Sequence, residues 1–159
     1  MMRGMLDVAS VTSTVCDLFG IPRPADCVAP PFSEVAAFAA RRTVTKALVF
    51  AADAIGAHLV RSYAEAFQPV ARHAPTSVEA CAVMPSVTPV CFASMFTGAP
   101  PDTHGIRKSE RPTLTCDTLF DALLPDVVSD EPVEALGLQC EQIGNRQGVG
   151  NLGERKSRS

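Results

Sequence analysis

The stretch that most constrains this chain runs from Met84 to Ile106, MPSVTPVCFASMFTGAPPDTHGI. It sets a hydroxyl, Thr88, directly before Pro89, and its apolar segment closes at Thr97-Gly98. Threonine is a good N-cap and proline is favoured in the first helical turn. Glycine ends helices by adopting a left-handed conformation. These residues predict a helix over Pro89–Phe96, stopped by Gly98, with a hydroxyl at its positive end.

Two apolar runs precede that helix. Thr45 to Ala52 (TKALVFAA) is short and without alternation, and it ends on Asp53. Such runs read as strands buried on both faces of a parallel sheet. Ala54 to Phe67 then carries Ile55, Leu59, Val60, Tyr63 and Phe67 at helical spacing. Ala80 to Met84 predicts a second strand, ended by Pro85. Strand, acidic residue, helix, strand, helix is the order of an α/β chain with a mainly parallel sheet.

The flanks are simpler. Val8 to Phe19 predicts a short helix stopped by Gly20, and Ile21 to Phe32 a proline-rich loop. Ser33 is placed to cap a helix from Glu34 to Arg41. Ala99 to Asp102 reads as a turn, and Thr115 or Asp117 as the cap of a helix from Thr118 to Leu124. The expected organisation is a helical and loop segment over 1–42, an α/β core over 43–124 and a divergent, loose tail over 125–159.

Composition limits the function classes. Nearly half of the 159 residues are apolar and 19% are charged, which suits a packed core. The net charge of −3 gives no basic field for nucleic acid. Arg155, Lys156 and Arg158 form only a short basic tail. The six cysteines show no C-x-x-C spacing, and charges interrupt every apolar run before transmembrane length. The start has no charged segment followed by an apolar core of the secretory kind. A reduced, cytoplasmic protein without membrane or nucleic-acid partners is expected.

Thr88 and Asp53 are the residues best placed for chemistry. A hydroxyl at a helix N-terminus lies beside free N–H groups that can receive a phosphate oxygen, and a neighbouring cation favours its alkoxide. The plain alternative is that Thr88 only caps the helix. In parallel sheets ligands gather beyond the C-terminal strand ends, where Asp53 would sit, and carboxylates suit divalent cations. Its plain alternative is a cap for the helix beginning at Ala54. His58, His73 and His104 have no ligand-like mutual spacing, and His104 is expected to order a loop. Ser86 and Ser94 are alternative hydroxyls. Cys91 has no histidine spaced to activate it.

At these residues the chain resembles the alkaline phosphatase superfamily, in the branch of nucleotide pyrophosphatase/phosphodiesterases and phosphonoacetate hydrolases. The phrases that carry the likeness are KALVFAADAIG, MPSVTPVCFASMFTGAPPDTHGI and RPTLTCDTLFDALL. The resemblance implies a partial three-layer alkaline-phosphatase-like fold and a metal-dependent hydrolase of small phosphorylated or phosphonate substrates. It implies that Asp53 is a metal ligand and that Thr88 is a nucleophile that also touches the metal. It further implies a centre of two divalent ions, zinc or in some members manganese.

The chain also departs from that pattern. No histidine follows His104, whereas the family's remaining Asp and His ligands come later. The glycine-rich end has the texture of a truncated or frame-shifted terminus. Little turnover is expected from these residues alone. The other reading is a catalytically inactive interaction module or remnant that associates with itself through exposed apolar surface. A sulfatase reading is weaker, because no arginine follows Pro89 at the required spacing.

Overall fold

The computed structural model of the chain describes residues 6–74, 76–109 and 114–123. The expected tail over 125–159, with Cys140, lies outside the described residues. Among the described residues seven helices follow in order: α1 (Ser10–Phe19), α2 (Ser33–Ala39), α3 (Ala57–Ser62), α4 (Ala64–His73), α5 (Thr88–Thr97), α6 (Pro101–His104) and α7 (Leu119–Leu123).

Local signals explain several of their ends. α1 stops at Gly20, whose φ of 65° is left-handed, and α5 stops likewise at Gly98 with φ 70°. α7 opens with a reciprocal cap. The Thr118 N–H donates to Asp121 Oδ2 at 2.7 Å, and the Asp121 N–H donates back to Thr118 Oγ1 at 3.3 Å. The cap is therefore Thr118, not Thr115 or Asp117. Ser33 is the first residue of α2, and its hydroxyl donates to Glu34 Oε2 instead of capping. The helix expected from Ala54 to Phe67 begins later and is broken in two at Tyr63 (φ −123°, ψ 41°), with Pro69 inside α4. The turn expected over Ala99–Asp102 passes into the single helical turn of α6.

The expected mainly parallel sheet of an α/β, three-layer fold is overturned. Among the described residues there is no strand. The nearest approach is one isolated parallel bridge between Asp7 and Cys81. Around it Cys81 N–H donates to the Leu6 carbonyl at 2.9 Å and Val8 N–H to the Cys81 carbonyl at 3.0 Å. The run Thr45–Ala52 forms no ladder. Leu48 is 90% exposed and Phe50 85% exposed, the reverse of the double-sided burial that its composition suggested. Apolar composition supplies strand propensity, but a strand exists only where a neighbouring backbone receives its N–H and C=O groups.

The core is helical instead. α5 packs against α1, α6 and α7, and α1 also meets α2 and α7, whereas α3 and α4 touch only each other among these helices. One buried cluster joins Val90, Ala93, Ile106 and Leu114; a second joins Val15, Cys16 and Leu119. Phe96 bridges toward α7 through a tilted contact with Phe120, at 5.1 Å between ring centres. α1 is unusual in burying hydroxyls: Ser10, Thr12, Ser13 and Thr14 are all in the interior. Thr12 Oγ1 donates to the Met95 carbonyl of α5 at 2.7 Å. Thr14 Oγ1 donates to the Ser10 carbonyl at 2.6 Å and accepts the Phe32 N–H at 2.8 Å. Hydrogen bonding of this kind offsets the cost of burying a hydroxyl for Thr12 and Thr14, whereas Ser10 Oγ is buried with no partner among the described residues.

Candidate active site

Thr88 is the first residue of α5, with Val87 as the flanking residue and Pro89 in the first turn. Thr88 therefore lies inside the helix, the capping position being held by Val87 without a side-chain bond. Its side chain turns to the segment before α3, where Thr88 Oγ1 donates to Asp53 Oδ1 at 3.1 Å. Asp53 does not cap a helix either, since α3 begins only at Ala57 behind Gly56. Its Oδ1 also accepts the N–H of Ala54 at 3.0 Å. Ala54 holds φ at 57°, a left-handed conformation that costs an L-residue energy. The structure thus joins the two residues singled out in the sequence, without a sheet beneath them.

The anion-receiving capacity of the α5 N-terminus is smaller than its position suggests. Pro89 has no N–H. The amides of Val90 and Cys91 both donate to the Val87 carbonyl, at 3.1 and 3.0 Å. The Thr88 N–H is the first-turn amide left without an acceptor among the described residues.

Asp53 and Thr88 stand in a cleft of ≈ 620 Å³ whose walls include Val8, Phe50, Phe92 and Met95. That volume lies within the range of small-molecule sites. Thr88, Cys91, Phe92 and Met95 face the cleft together because their spacing of three, four and seven residues follows one helical face. Ser86 and Cys91 line it as well. The same spacing, counted from Thr88, would have marked those wall residues in the sequence. No lysine, arginine or histidine lines the cleft among the described residues, so Asp53 gives it an acidic character.

The remaining candidates are placed elsewhere. Ser94 is buried on α5, and its hydroxyl meets His104 Nε2 at 2.9 Å. The N–H of Ile106 donates to His104 Nδ1 at 3.1 Å. Nδ1 must therefore keep its lone pair, which puts the ring hydrogen on Nε2 as donor to Ser94. Burial pushes the His104 pKa below its ordinary value, a hydrogen bond to its own backbone opposing the shift. His104 is thus a neutral pin that holds the α6 turn against α5, as a loop-ordering residue should. His58 and His73 are exposed. Burial also pushes the Cys91 thiol up, so it stays protonated and weakly nucleophilic. Cys16, Cys27, Cys81, Cys91 and Cys116 are all free thiols.

The donors can be weighed against the expected metals. A carboxylate and a hydroxyl in contact are suitable ligands for one hard or borderline cation. Among the described residues no group of three or more His, Cys, Asp or Glu side chains could hold an ion. Asp53 and Thr88 therefore fit a share of one ion's sphere and do not fit a complete two-ion centre. No helix among the described residues is long and apolar enough to cross a membrane. Comparison with known families, characterised proteins and solved structures finds no match to this chain.

Proposed function

We propose that this chain carries the nucleophile of a metal-dependent hydrolase of phosphate esters or phosphodiesters, similar to the alkaline phosphatase superfamily. One observation carries the reading: Thr88 and Asp53, from segments far apart in sequence, hydrogen-bond at 3.1 Å in a cleft of small-molecule size. Thr88 Oγ1 is the atom that attacks phosphorus and displaces the ester's alcohol; its proton, hydrogen-bonded to Asp53, neutralises that leaving oxygen, and water then frees the phosphate from Thr88. A divalent cation, zinc or manganese, held by Asp53 and Thr88 would favour the alkoxide at that oxygen. The N–H of Thr88 offers a single donor to the charge that develops on phosphoryl oxygens. The substrate is a small phosphorylated or phosphonate compound whose organic part meets the apolar walls. With only two donors in place, slow turnover by this chain is expected.

Hydrolysis of p-nitrophenyl phosphate esters with added zinc or manganese tests the assignment. The rate should vanish in Thr88→Ala; a rate that survives that change removes Thr88 as nucleophile. A second reading, a catalytically inactive interaction module that associates with its own copies, draws on the exposure of Leu48 and Phe50. Absence of both turnover and zinc binding, with a mass by sedimentation that rises with concentration, favours it.

A further inference from the structure

We draw no further inference here: the strongest candidate, the exposed apolar patch formed by Leu48, Val49 and Phe50 on the segment leading to Asp53, with Tyr63 and Val70 on the α3–α4 pair, carries nothing because nothing in the structure shows what covers it.

Discussion

Asp53 Oδ1 receives two donors at once, the Thr88 hydroxyl at 3.1 Å and the Ala54 N–H at 3.0 Å. The arrangement is exposed to solvent, so it contributes little to stability, below about 1 kcal/mol. Its value lies in holding a carboxylate and a hydroxyl in register. Asp53→Asn keeps an oxygen acceptor while removing the charge. We expect its unfolding free energy in urea to stay within about 0.5 kcal/mol of the parent. Zinc affinity by calorimetry should fall at least roughly tenfold, as for loss of a charged ligand. Unchanged zinc binding would remove Asp53 from the proposed site.

Ala54 tests whether the backbone beside that carboxylate is strained. At φ 57° an alanine is held where glycine sits freely. Ala54→Gly removes the Cβ conflict but adds freedom to the unfolded chain. The strain relieved exceeds the entropy added, so a net gain of about 0.5 kcal/mol is expected in chemical denaturation. A clear loss of stability would contradict the strained geometry.

Gly98 ends α5 with φ 70°, and a Cβ there would run into Cys27 Sγ and come to 2.9 Å from Cys27 Cβ. The backbones are already joined, because the N–H groups of Val28 and Ala29 both donate to the Gly98 carbonyl, at 3.1 and 3.2 Å. Gly98→Ala should cost about 2–4 kcal/mol through the left-handed conformation and the collision together. Adding Cys27→Ala removes the sulfur but leaves the Cβ approach, so part of the loss should return. Additive effects of the two changes would show that the collision does not operate.

Stability should also depend on pH through His104. Its folded pKa is depressed by burial below the ordinary 6.5. The unfolded chain therefore binds a proton that the folded chain refuses. The neutral imidazole's contribution is complete above about pH 6.5. It is lost as pH falls through 6.5 toward the folded pKa. Protonation would place a hydrogen on Nδ1, where the Ile106 N–H now donates. Urea midpoints measured from pH 7.5 down to 5.5 should decline, and His104→Gln should flatten that decline. An equally steep decline in the variant would assign it to other groups.

What could be read from the sequence divides along the line between local and non-local causes. Gly20 and Gly98 end helices by their own conformational freedom, so both ends were visible. The pairing of Thr45–Ala52 depends on a partner backbone elsewhere, and composition cannot supply one. Tyr63 breaks a helix that the spacing of Leu59, Val60 and Phe67 would continue, because apolar period does not record where a backbone turns. The resemblance implies that Asp53 and Thr88 share a metal, and the parallel-sheet reading sets Asp53 beyond a strand end. The structure brings the two together through an irregular segment folded onto α5.

The bond from Thr12 on α1 to the Met95 carbonyl on α5 ties the amino-terminal helix to the one that begins at Thr88. Val8, just ahead of α1, is itself part of the cleft wall. Removing Val8 and α1 would thus take away a side of that cleft along with a brace for α5. Val8 and α1 behave as masonry for the cleft.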